Sequence, residues 1–108
     1  MIKVDGTNIS FVRGDSATIL VGTDKYSFKD GDLVEMTCRR AAEDPEIAFH
    51  VQTEEFVNGK GNLKIKPEDT HYLTPGKYRY DIQLTTAEGE VITIVEDSVL
   101  QLRKDVTW

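Results

Sequence analysis

An all-β fold, an antiparallel β-sandwich of two stacked sheets, is what this chain predicts, and three observations predict it. Turn-forming steps recur along the whole length: Asp5-Gly6, Gly14-Asp15, Asp30-Gly31, Asn58-Gly59, Pro75-Gly76 and Glu88-Gly89. The runs between them are short and rich in β-branched and aromatic residues, as closely spaced strands require. Within those runs apolar and polar residues alternate, the mark of a sheet with one packed face and one wet face.

Taken in order, Ile2–Val4 is a short apolar arm set off by Asp5-Gly6, free to pair with its own sheet or to reach a neighbouring subunit. Strands follow near Ile9–Arg13 and Ala17–Val21, separated by the Gly14 turn. In Leu33–Arg39, Val34, Met36 and Cys38 share the inward face, and Ile47, Phe49 and Val51 do the same in Ile47–Thr53. Between these two strands Arg39–Glu46 has some helix propensity, but Pro45 ends it and a loop or single turn is expected. A strand near Leu63–Ile65 comes next, then Lys77–Thr85, and Thr86–Gly89 turns the chain into strands near Glu90–Val95 and Val99–Arg103.

The most specific stretch is Pro67–Leu84. Pro67, Glu68, Asp69 and Thr70 form a capped acidic turn, Pro75-Gly76 opens a strand, and Tyr78, Tyr80, Ile82 and Leu84 then alternate with Lys77, Arg79, Asp81 and Gln83. A turn delivering a Tyr-x-Tyr strand is how many immunoglobulin-like sandwiches enter their sixth strand, with a tyrosine hydroxyl tying the corner to the preceding loop. Tyr78 is read as that corner tyrosine and Tyr80 as a core residue of an immunoglobulin-like antiparallel β-sandwich.

Composition agrees with one small domain over residues 1–108. With 108 residues, 39% of them hydrophobic, the chain can build a core without metal or disulfide. A net charge of -6 speaks against a nucleic-acid partner, because phosphate binding needs clustered Lys and Arg. Cys38 is the only cysteine, so no internal disulfide forms, and a reducing site of synthesis is expected. The first residues lack a basic region followed by an apolar run, and no stretch approaches a membrane span, so the chain is expected to be soluble when made and to have no membrane partner.

Two blocks carry a family resemblance. One is Phe11–Ile19 with Tyr26–Asp32, and the other is Lys66–Thr70 with Leu73, Gly76–Tyr78, Tyr80–Thr85, Gly89 and Val91–Ile94. In order and spacing they resemble the N-terminal domain of upper-baseplate and tail-fibre proteins in phages of Gram-positive bacteria, over roughly Ile9 to Thr107. The resemblance implies an immunoglobulin-like sandwich that attaches tail or baseplate parts and has no active site or cofactor. Members usually head longer chains carrying a fibre or receptor-binding region, so residues 1–108 are read either as the N-terminal module of a longer tail or baseplate protein or as a stand-alone member. Its partners would be other tail or baseplate proteins, with copies of itself in the assembled particle. It would be made in the bacterial cytoplasm and work in the virion tail of a phage or prophage.

Each chemical motif has a plainer reading. Arg13-Gly14-Asp15 spells an adhesive tripeptide, but a tight turn explains it. His50 falls on a solvent face, His71 in a turn, and Ser10, Ser16, Ser27 and Ser98 lack a nucleophile signature. Cys38 points inward, as a buried thiol would. Asp30 with Asp32, and Glu68 with Asp69, offer oxygens to calcium but fall short of a full ligand set. Tyr26, Phe28, Phe56, Tyr72 and Trp108 lie outside the clearest core positions and could form a sugar-binding platform. The expected role is therefore structural docking, with Pro67, Asp69, Gly76, Tyr78 and Tyr80 as the residues that shape the scaffold. The alternative is an adhesion module for a cell-surface glycan or protein.

Overall fold

The computed structural model describes residues 3–105, with side chains from residue 6 onward. Its elements are β1 (Lys3–Asp5), β2 (Asn8–Val12), β3 (Ala17–Val21), β4 (Leu33–Arg39), β5 (Ile47–Thr53), β6 (Phe56–Val57), β7 (Lys60–Ile65), the single helical turn α1 (Pro67–Thr70), β8 (Gly76–Thr85) and β9 (Val91–Arg103). They form a six-stranded sheet in the order β1-β2-β9-β8-β4-β5 and a three-stranded sheet in the order β3-β7-β6. Ile2, at the start of the expected arm, and Trp108 lie outside the described residues. The rest of that arm pairs at home, Lys3 opposite Ser10 and Asp5 opposite Asn8.

Alternation decides which side chains go inward. Val34, Met36 and Cys38 from β4 and Tyr78, Tyr80, Ile82 and Leu84 from β8 meet Ile19, Leu63 and Ile65 from the smaller sheet in one buried cluster. Both sheets thus close over the same core, as the sequence pattern requires.

Four expectations change. The antiparallel rule fails at one ladder: β2 runs parallel to β9, Ile9 beside Leu100 through Val12 beside Arg103. Parallel neighbours need a long crossover, and the body of the domain between β2 and β9 supplies it. The two strands expected near Glu90–Val95 and Val99–Arg103 are one strand, because the break between them is a bulge. Tyr80 faces Ser98 and Ile82 faces Val95, so Glu96 and Asp97 oppose Asp81 alone, and Asp97 takes a φ of +26°. Ile47 is exposed, not inward, because a register shift after Cys38 pairs Arg39 with Ile47 and flips the strand end outward. Phe28 is a core residue, 4% exposed, stacked at a tilt 5.4 Å from the half-buried Phe56.

One strand was not expected. The two residues of β6 are too few for alternation to show, yet they pair with β7 as Phe56 opposite Gly61 and Val57 opposite Lys60. Asn58 and Gly59, with φ of 54° and 74°, make the tight hairpin turn between them. Gly59 is also packed against Ser27, and a side chain at this glycine would run into the Ser27 hydroxyl.

Candidate functional site

Two hydrogen-bonded knots hold the ends of the domain, and an open trough lies along one side. The first knot is the tyrosine corner. Pro67 starts α1, where its fixed φ suits the first helical position, and the Asp69 carboxylate accepts the Lys66 backbone N–H at 2.8 Å. The buried Thr70 hydroxyl accepts the Gly14 N–H at 2.9 Å. Gly76 then turns the chain into β8 with a φ of 146°, and the Tyr78 hydroxyl donates back to the Thr74 carbonyl at 2.7 Å. The Arg40 guanidinium lies over the Tyr78 ring, 4.9 Å from its centre. Tyr80 is 3% exposed and its hydroxyl donates to the Thr7 carbonyl, with burial pushing its pKa up to about 12.

Arg13 belongs to the same knot. Its guanidinium pairs with the buried Asp105 carboxylate at 2.9 Å and donates to the Leu73 carbonyl at 3.2 Å. An adhesive tripeptide needs a projecting arginine, and this one is tied down.

The second knot is built on Asp32, 1% exposed. Its carboxylate accepts the Tyr26 hydroxyl at 2.9 Å and the N–H groups of Lys29 and Ala87 at 3.0 Å each. Burial alone would raise the Asp32 pKa, but these donors outweigh it and hold the carboxyl below its ordinary value. Burial and the Asp32 carboxylate together push the Tyr26 hydroxyl up. Asp32 thus pins the loop before β4 to the β8–β9 turn, a role that a reading of Asp30-Gly31-Asp32 as oxygen ligands does not reveal.

The remaining candidates are dispersed. His50 sits on the outer face of β5, with its Nε2 2.9 Å from Glu35 on β4. His71 packs edge-on against Tyr72 after α1. The Ser98 hydroxyl donates to the Glu96 carbonyl at 2.9 Å and lies 2.6 Å from the Thr7 hydroxyl. Cys38 is fully buried, and desolvation pushes its thiol up to about 12, so it is a neutral core residue near pH 7. Among the described residues no three His, Cys, Asp or Glu side chains converge to hold a metal ion. No helix among them is long and apolar enough to cross a membrane. Of the aromatic candidates whose side chains are described, Tyr72 alone stands fully out, 85% exposed.

Surface concavities are shallow and polar. A trough of about 480 Å³ lies between β5 and β7, lined by His50, Val51, Thr53, Asn62, Lys64 and Lys66 among others. A second groove of about 320 Å³ runs past Tyr72, Arg40, Asp44 and Glu46. The chain matches no protein-family model, no curated protein and no solved structure.

Proposed function

We propose that residues 1–108 are a non-enzymatic docking module of a phage or prophage tail, baseplate or fibre, built as an immunoglobulin-like β-sandwich. It joins other tail proteins, and copies of itself, through sheet edges and loops, after synthesis in the host cytoplasm. The observation that carries this reading is where the two resembling sequence blocks meet. Gly14 and Arg13 of the first block bond to Thr70 and Leu73 of the second, and Asp32 of the first bonds to the Ala87 turn that leads to Gly89 of the second. Several residues behind the resemblance therefore tie the scaffold together, which supports a structural role. The Tyr78 corner and the pairing of the first long strand with the last support the immunoglobulin-like form of that scaffold.

Antibody-gold electron microscopy on induced particles tests it. Label at the tail tip or fibres is expected, whereas particles that assemble normally without this domain would sink the structural role. The adhesion alternative is favoured by one observation, the exposed Tyr72 beside the second groove. It requires that Tyr72→Ala, still folded, abolish saturable binding to host envelopes. Phe56 drops out of that alternative, because its ring packs on Phe28.

A further inference from the structure

The two sheets have four border strands, β1, β5, β3 and β6, and three of them are blunted. β1 is three residues long, and two of the three, Lys3 and Asp5, are charged. β5 has a register shift at its start, and β7 of the other sheet packs beside it. β6 is only two residues long. The fourth border is β3, Ala17–Val21, which pairs with β7 on one side only. Among the described residues no other strand runs alongside it, and no backbone hydrogen bond reaches it from outside the β7 ladder. It has no charged residue, no proline and no bulge, the devices that keep strand edges apart. This border alone is unguarded.

We infer that β3 pairs antiparallel with β3 of a second copy of this chain about a two-fold axis, joining the two small sheets into one. Unpaired N–H and C=O groups along a strand edge are a template for one more strand, and a two-fold contact satisfies both copies at once. The register that pairs all five residues puts Ile19 on the axis, opposite Ile19 of the second copy. Side chains alternate, so the outward row then sets Leu20, 63% exposed, against Thr18 of the second copy and takes apolar surface out of water. The inward row sets Ala17 against Val21 of the second copy, so the two cores run toward each other.

Charge at the two ends of the strand fits a second copy. The Lys60 stem lies across Gly22, where a Cβ would stand 2.9 Å from the Lys60 Cγ, so the side chain crosses β3 toward the border. In the same register Gly22 lies opposite Ser16 of the second copy, beside its Asp15. Lys60 and Asp15 are both exposed, and neither forms an ion pair among the described residues. The two-fold axis makes this pair twice, once at each end. Asp24 and Lys25, on the turn after β3, offset each other. Lys64 faces Thr18 from β7, and its counterpart in the second copy is three strand spacings away, about 14 Å, which is beyond the screening length at physiological salt. Lys66, one residue past Ile65, also stands one strand back from the border. A chain of net charge -6 meets its own copy with least repulsion where the unmatched charges have both signs. Five paired residues a side are far fewer than the roughly 20–30 of a standard interface, so the contact is weak in free solution. Copies held around one tail make it effective, because tethering raises local concentration to the millimolar range.

The inference rests on the docking reading and names the surface by which copies meet. Sedimentation of the 108-residue chain tests it, with dimer expected to grow over roughly 0.1–1 mM, the range that suits so small a contact. Asp15→Lys and Lys60→Asp, their folds checked by circular dichroism, should each weaken dimerisation at least about threefold, and the double variant should restore it. Crosslinking reads the register. Thr18→Cys mixed with Leu20→Cys should form the mixed disulfide faster than either variant links to itself, with the native Cys38 buried and silent. A monomer at about 1 mM, no rescue by the double variant, or fastest linkage of Leu20→Cys with itself would each overturn the inference. Gold label at the tail tip with a monomeric domain would remove the inference alone. A dimer through β3 with unlabelled particles would remove the tail reading and leave the edge contact standing.

Discussion

The two sheets close over one core but finish their borders differently. The six-stranded sheet ends in the β1–β2 hairpin on one side, and its long β9 carries bulges that increase local twist. The three-stranded sheet ends in a two-residue strand on one side and in the unpaired outer edge of β3 on the other. On its outer face Leu20 and Val57 stand exposed, 63% and 72%, among lysines. The contrast is one of proportion: the large sheet also ends in a bare β5 edge and exposes Ile47 and Val91, but it spreads them over six strands, whereas the small sheet has three. Core packing constrains both sheets alike, since residues of both lie in the same buried cluster.

The largest effect should come from the shared core. Leu84→Ala in the large sheet and Leu63→Ala in the small one each remove a fully buried side chain. Each is expected to lose about 3 kcal/mol in chemical denaturation. If the small sheet were a loosely attached flap, Leu63→Ala would lose far less than Leu84→Ala, and the idea of one core under two sheets would fail.

Next comes Asp32, which ties the loop before β4 to the β8–β9 turn. Asp32→Asn leaves the site with an amide facing N–H donors, for an expected loss of about 2–3 kcal/mol at neutral pH. The sign with pH follows from linkage. A carboxyl held below its ordinary value contributes stability above its unfolded pKa, and that contribution disappears as pH falls through the lower folded value. Denaturation midpoints for the parent chain should therefore drop on acidification below about pH 4, the ordinary carboxylate range. The Asp32→Asn variant should show a shallower drop; an unchanged acid slope would remove Asp32 from the account.

Tyr78→Phe removes one hydroxyl and its bond to Thr74, while the ring stays under Arg40. About 1 kcal/mol is the expected loss, the ordinary value of one intramolecular hydrogen bond. A loss near zero would reduce the corner to ring packing and weaken the case for the immunoglobulin-like form.

How much of this was legible depends on what each feature writes into the chain. Tyr78 and Tyr80 were readable because a turn signal precedes strict alternation over eight residues, Lys77–Leu84, and only one face of that strand can be buried. The direction of β2 against β9 was not, since alternation is the same for parallel and antiparallel neighbours. Ile47 was misplaced because a bulge shifts parity without altering composition. Phe28 was missed as core because it sits in a loop, where no period marks its facing. The trough was invisible for a deeper reason: it lies between β5 and β7, strands of different sheets, and alternation does not say which strands become neighbours.

The smallest predicted effect bears most directly on the contrast between the sheets. Leu20→Thr with Val57→Thr changes two exposed side chains on the small sheet's outer face. Threonine is β-branched, like the valine it replaces at Val57, so strand propensity survives at both positions and the stability change should stay within about 0.5 kcal/mol. Solution behaviour should move more than stability does. Two large apolar side chains beside a bare strand edge favour self-association, and sedimentation at high concentration should show less of it in the double variant. A fall in stability of several kcal/mol would instead mean that this face already packs against something within the domain. The difference between the borders of the two sheets would then not extend to their outer faces.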